Sequence, residues 1–141
     1  ATLMYPNQNR LIIDAGTCIT YDFVNAENQY LGGAISPGIK IRYKSLNNYT
    51  SKLPLLTLSE DFEIIGNSTK SAIHSGVING VIFEIEGFIS QYSLKNQDLT
   101  IILTGGDAEF LAKRLKSTIF ANSNFLLESL NLLSLYTQKN D

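Results

Sequence analysis

One cysteine, one histidine and one methionine are all that this 141-residue chain holds of those residue types, and each scarcity closes off a class of function. A lone cysteine, Cys18, cannot staple a fold and suits a reducing compartment, so the cytoplasm is the expected location. No histidine lies near Cys18 in sequence, which leaves a cysteine hydrolase without support. His74 alone reads as an ordinary polar helix residue. No apolar run approaches the roughly 18 residues of a membrane span, and no basic-then-apolar signal segment opens the chain. Eleven basic residues face thirteen acidic ones, for a net charge of −2, and no long basic run occurs. Neither nucleic acid nor a membrane is expected as a partner.

What is present reads as a globular domain. Hydrophobic residues make up 44% and charged residues 17%, enough apolar side chain for one core and too little charge for disorder. No internal repeat, low-complexity tract or second domain is visible, so residues 1–141 read as a single domain. Ala1 to Tyr5 read as the tail of an earlier helix, because the chain passes directly into the Pro6-Asn7-Gln8-Asn9 turn and a first strand. Met4 is a poor natural start, so a longer protein is expected; removal of an initiator methionine before Ala1 is the alternative.

Arg10 to Gly16 is strand-like. Thr17 to Val24 alternates, with Ile19, Tyr21 and Phe23 on one face and Cys18, Thr20, Asp22 and Val24 on the other. After a polar turn at Asn25 to Asn28, Tyr30 to Ser36 resumes a strand, giving an antiparallel meander. Pro37 suits the first turn of a helix with Ser36 as its N-cap, and Ile39 to Asn48 continues that helix. Thr50 to Asn67 is mostly loop. A long helix is expected from about Thr69 to Leu94, with Ile73, Val77, Val81, Ile85, Phe88 and Tyr92 tracing a 3.6-residue stripe widened by Ile78, Ile82 and Ile89. Thr100 to Thr104 is a buried strand and Ala108 to Lys116 an amphipathic helix with Asp107 near its N-cap. Phe125 to Leu127 is expected as a final strand and Glu128 to Tyr136 as a closing helix. The order is βββααβαβα.

Chemistry concentrates at turns. In IIDAGTCITYD, Asp14 ends one strand and Thr17 begins the next, across a bend at Gly16 whose amides and hydroxyl suit phosphate oxygens. A carboxylate there would repel phosphate unless a cation intervened, so Asp14 makes sense as a cation ligand. A hairpin whose Asp and Thr merely satisfy turn backbone is the competing reading. Thr104-Gly105-Gly106-Asp107 is a flat turn at a strand end that opens a helix, a place for an anionic ligand or a plain α/β turn. Ser68 or Thr69 caps the long helix, and the smooth Ala72-Gly76-Gly80 stripe favours close packing by another backbone. Gly32 to Gly38 places small residues where a strand meets a helix. Glu84 and Glu86 cannot share a helix face and are not a catalytic pair.

The segments DAGTCITYD (14–22), GGAISPG (32–38), GNSTKSAIHSGVINGVIFEIEGF (66–88) and TGGDAEFLAKRL (104–115) together resemble the type III pantothenate kinases, in the family's order and over nearly the whole chain. The resemblance implies an α/β fold, the actin-like ATPase (ribonuclease H-like) domain with a mixed sheet flanked by helices. It makes residues 1–141 the C-terminal half of a two-domain kinase whose N-terminal half is absent from this chain. It implies ATP-dependent phosphorylation of pantothenate to 4'-phosphopantothenate, in coenzyme A biosynthesis. Position by position, Asp14 matches the ligand of an activating monovalent cation, potassium or ammonium. Thr17, beside Gly16, matches an ATP-phosphate contact; Thr69 a pantothenate contact; Gly105 and Gly106 the nucleotide-side turn. Magnesium would arrive with ATP, and a homodimer is implied. The family's Asp-x-Gly-Asn-Thr loop and its Gly-x-Asp-Arg motif, which supplies the general-base aspartate, do not occur here. The aspartate would lie upstream of Ala1, so the chain alone is expected to be inactive. The rival readings are a non-catalytic, transcription-regulator-like homologue and another small-molecule kinase of the same fold.

Overall fold

The computed structural model describes residues 2–60, 62–117, 119–121 and 125–140. The chain opens with three consecutive strands, β1 (Arg10–Ala15), β2 (Cys18–Val24) and β3 (Tyr30–Pro37), then α1 (Ile39–Asn48). A largely irregular segment leads to α2 (Thr69–His74), which runs through a π-helical turn, Ser75–Asn79, into α3 (Gly80–Lys95). The remaining elements are β4 (Thr100–Thr104), α4 (Ala108–Ala112), β5 (Phe120–Ala121) and α5 (Phe125–Asn140).

The sheet order is β3-β2-β1-β4-β5. β1 pairs antiparallel with β2, and β2 with β3. β4 joins the other edge of β1 in parallel, and β5 joins β4 in parallel. A parallel neighbour requires a crossover connection, which α1 and the long helix supply. This is the mixed, ribonuclease H-like arrangement that the resemblance implied.

Alternation in the strands decides the core. Leu11, Ile13 and Ala15 of β1 and Ile19, Tyr21 and Phe23 of β2 point one way and are buried. They meet Ile73, Val77, Val81, Ile85 and Ile89 of the long helix, with Ile39 and Tyr43 of α1 in the same cluster. The helical rod Thr69–Lys95 has the length and composition to cross a membrane, contrary to the reading that no segment did. Its apolar stripe is here spent on the sheet. Arg10, wholly buried, donates to the Tyr5 and Asn25 carbonyls and to the Asn28 side chain, tying the entry segment to the β2–β3 turn.

Several boundaries differ from expectation. β3 continues through Pro37, so Gly38, not Ser36, stands at the N-cap of α1; the Ser36 hydroxyl instead donates to Glu84. α4 stops at Ala112 rather than Lys116. Glu86 accepts from the Lys116 and Ser117 amides and from the Ser117 hydroxyl, turning the chain away there. The last strand is Phe120–Ala121; Phe125 to Leu127 begin α5, where an apolar triplet serves a helix as well as a strand. Of the helical tail expected over Ala1 to Tyr5, Ala1 lies outside the described residues and Thr2 to Met4 form turns. So short a piece closes at most one i to i−4 bond.

Candidate nucleotide-binding turn

Asp14 is the penultimate residue of β1, flanked in register by Thr20 of β2 and Thr104 of β4. The chain then bends, with the Gly16 amide donating to the Cys18 carbonyl at 3.0 Å. Asp14 is partly exposed and Thr17 is exposed. Neither side chain has a hydrogen-bond partner among the described residues, so the local-capping alternative for this hairpin finds no bond to rest on.

The second turn comes alongside the first because β4 lies parallel to β1. The Asp107 amide donates to the Ala15 carbonyl at 3.0 Å. Gly105 adopts φ +99°, and a Cβ there would stand 2.6 Å from the Asp14 Oδ1 and 2.5 Å from the Ala15 oxygen. Only glycine satisfies both the dihedral and the space. Gly106 faces open space. Asp14, Gly16, Thr17, Gly105 and Gly106, chosen from the sequence as separate fragments, thus form one place.

A third segment presses on the hairpin from the far side. The Gly38 amide donates to the Thr17 carbonyl at 2.9 Å, and a Cβ on Gly38 would lie 2.2 Å from the Gly16 oxygen. The glycine in Ser36-Pro37-Gly38 is therefore demanded by close approach of this elbow to the hairpin bend.

Beside Asp107 opens a cavity of about 280 Å³, lined by Ile39, Tyr43, Leu55, Leu56 and Leu58, with Lys40 and Lys44 also in its wall. Burial pushes the Asp107 carboxyl above its ordinary range. Despite its N-cap position, the side chain makes no capping bond. Sequence reading missed this cavity, because α1 forms only one side of it and the irregular segment at Leu55–Leu58 closes the other.

Thr69 is not brought to the turns by any hydrogen bond. It is exposed on the first turn of α2. Ser68 takes the cap, its hydroxyl accepting from the Ser71 amide while the Ser71 hydroxyl accepts from the Ser68 amide. The Thr69 hydroxyl is left without a partner among the described residues. Of the Ala72-Gly76-Gly80 stripe, Ala72 is met by the Gly66 backbone, where a Cβ on Gly66 would lie 2.4 Å from the Ala72 nitrogen, whereas a Cβ on Gly76 would meet nothing within 4 Å and one on Gly80 only the Arg42 guanidinium at 3.9 Å. His74 accepts or donates a bond with the Tyr43 hydroxyl at 2.7 Å, and Cys18 is exposed.

No group of three or more His, Cys, Asp or Glu side chains able to hold a metal occurs among the described residues. Asp14 is a single carboxylate with no hydrogen-bond donor among the described residues. One carboxylate falls short of the oxygen cage of a divalent cation.

The family model described as type III pantothenate kinase matches residues 1–91, which hold the hairpin, the elbow and most of the long helix. A type III pantothenate kinase of Flavobacterium johnsoniae is 64% identical over 141 residues, covering 100% of this chain and 58% of that protein. Those of Flavobacterium psychrophilum and Christiangramia forsetii are 65% and 57% identical, covering 96% and 92% of this chain and 56% and 53% of theirs. The chain thus spans little more than half the length of the curated relatives it matches. A solved Campylobacter jejuni structure, described as of the Baf family of transcriptional activators, superposes with TM-score 0.71 at 21% identity, over 94% of this chain and 60% of that one. At that identity the likeness carries the fold alone. With a family model matching residues 1–91, the Asp14–Thr17 hairpin among them, the chain belongs to the type III pantothenate kinase family.

Proposed function

We propose that this chain is the actin-like, nucleotide-gripping half of a kinase that transfers the γ-phosphoryl group of ATP to the primary hydroxyl of pantothenate, giving 4'-phosphopantothenate. The observation that carries the reading is the bond from the Asp107 amide to the Ala15 carbonyl. It sets two glycine turns edge to edge, with an unpartnered carboxylate and an exposed hydroxyl between them.

Phosphoryl transfer is chiefly a matter of alignment and charge compensation. The Thr17 hydroxyl donates to phosphate oxygens, with hairpin amides other than that of Gly16, which the Cys18 carbonyl already takes, and the flat Gly105-Gly106 turn lets the nucleotide lie against backbone. Asp14 would hold a potassium or ammonium ion, which offsets negative charge when bound; magnesium would travel with the ATP phosphates. The apolar cavity beside Asp107 would shield the nucleoside, its desolvated carboxyl offering a hydrogen-bond acceptor. Thr69, with a hydroxyl unspent on capping, would help fix pantothenate. The general-base aspartate belongs to the N-terminal half. A homodimer built on the uncovered glycine face of the long helix, in the cytoplasm, completes the reading.

The regulatory rival rests on the description of one structural neighbour whose 21% identity speaks to fold only. Coupled ADP-release assays decide between these. The chain joined to a polypeptide supplying the Asp-x-Gly-Asn-Thr and Gly-x-Asp-Arg motifs should phosphorylate pantothenate faster in potassium than in sodium, and the 141-residue chain alone should not turn over. Turnover with other hydroxyl acceptors but not pantothenate overturns the acceptor assignment. Absence of turnover with any acceptor overturns the kinase.

A further inference from the structure

Glu84 sits on α3, and its carboxylate gathers donors from three other elements. The Tyr21 hydroxyl of β2 donates to Oε2 at 2.6 Å, and the Ser36 hydroxyl of β3 to the same oxygen at 2.7 Å. The Arg42 guanidinium of α1 donates to Oε1 at 2.6 Å. Arg42 also turns its Nε–H onto the Pro37 carbonyl at 2.9 Å. Two of these four bonds therefore land on Ser36 and Pro37, next to Gly38, whose amide holds the Thr17 carbonyl.

A plainer account is that Glu84 exists to satisfy Tyr21, whose ring is wholly buried and whose hydroxyl needs a partner. That explains one bond. It leaves unexplained why a charged pair converges on the elbow when a single neutral acceptor would have served the phenol. Burial alone would raise the Glu84 carboxyl, but the bonds from Tyr21, Ser36 and Arg42 outweigh it and hold the group below its ordinary value. The bracket is charged and fully engaged at neutral pH.

We propose that Glu84 and Arg42 are positioning residues: together they hold the Ser36–Gly38 elbow against the Gly16–Thr17 bend and so set the geometry in which that bend meets nucleotide phosphate. The proposal rests on the phosphate reading of the bend, and its test separates the two.

The 141-residue chain is titrated with magnesium tripolyphosphate, and amide hydrogen exchange is followed in the unliganded protein. Glu84→Gln should accelerate exchange at Gly38 by about tenfold or more while leaving the core amides of Val81 and Ile85 protected. It should weaken tripolyphosphate binding by roughly fivefold or more, a change that a merely structural residue would not cause at unchanged core protection. Should Glu84→Gln not fold, Arg42→Lys keeps the charge but loses the two-pronged reach to Pro37 and Glu84, and the same local signature is expected. Unchanged Gly38 exchange, or unchanged binding by a variant with a loosened elbow, overturns the proposal alone. Faster Gly38 exchange in a chain whose wild type does not bind tripolyphosphate overturns the phosphate reading of the bend, and the functional half of the proposal with it.

Discussion

Gly105 stands so close to Asp14 that the missing Cβ would lie 2.6 Å from the carboxylate oxygen. The contact joins two turns from distant parts of the chain, and it makes one glycine indispensable while its neighbour is free. Gly105→Ala would meet both a forbidden dihedral and occupied space, so we expect a loss of about 1–3 kcal/mol. Magnesium ADP affinity should fall with it. Gly106→Ala, with open space at its Cβ, should stay within about 0.5 kcal/mol in stability, while its added methyl, standing on the turn where the nucleotide would lie, weakens magnesium ADP binding. Calorimetric titration and thermal melts of the two variants check the contrast.

Asp14→Asn removes a carboxylate that no donor among the described residues engages, so stability should change by less than about 0.5 kcal/mol. If the residue holds a monovalent cation, the advantage of potassium over sodium in turnover by the two-domain enzyme should vanish. Retention of that advantage would remove Asp14 from the site.

Ser68 and Thr69 look interchangeable in sequence and should part sharply in experiment. Ser68→Ala opens the capping box and should cost about 1 kcal/mol. Thr69→Ala touches no capping bond and should leave the melting temperature alone while raising the KM for pantothenate. A Thr69 variant with unaltered KM would take the residue out of the acceptor site.

Much of this fold is written in periodicities. The two-residue alternation of Ile19, Tyr21 and Phe23 and the stripe from Ile73 to Ile89 each bury the face they announce. What stayed hidden depends on partners far away in the chain. The π turn Ser75–Asn79 goes with bonds from Ser75 to the Ile64 carbonyl and from Asn79 to the Phe62 carbonyl, and no local pattern encodes them. The sequence says of Glu84 only that it makes no catalytic pair with Glu86, because Tyr21, Ser36 and Arg42 come to it only after folding. Asp14, Thr17 and Gly105 were visible as turn chemistry, but that they share one place follows from the parallel pairing of β1 with β4.

The Glu84 bracket also makes a statement about acid. A carboxyl held below its ordinary 4.5 in the folded protein contributes stability that is present above that value and lost as pH falls through the lowered one. The urea midpoint of the wild type should therefore exceed that of Glu84→Gln at neutral pH, and the gap should begin to narrow once pH drops below 4.5 and close below the lowered value. Curves that stay parallel down to pH 3 would mean that the charge contributes nothing.

The bond between the Ala15 carbonyl and the Asp107 amide also orders events during synthesis. The hairpin leaves the ribosome before its opposite wall, which is made only after the long helix and β4 have been translated. A nascent chain arrested before Gly105 would carry every phosphate-facing hydroxyl of the bend and still have no seat for a nucleotide. Ligand capture by ribosome-bound intermediates should thus appear abruptly and late, as a marker that the sheet has closed.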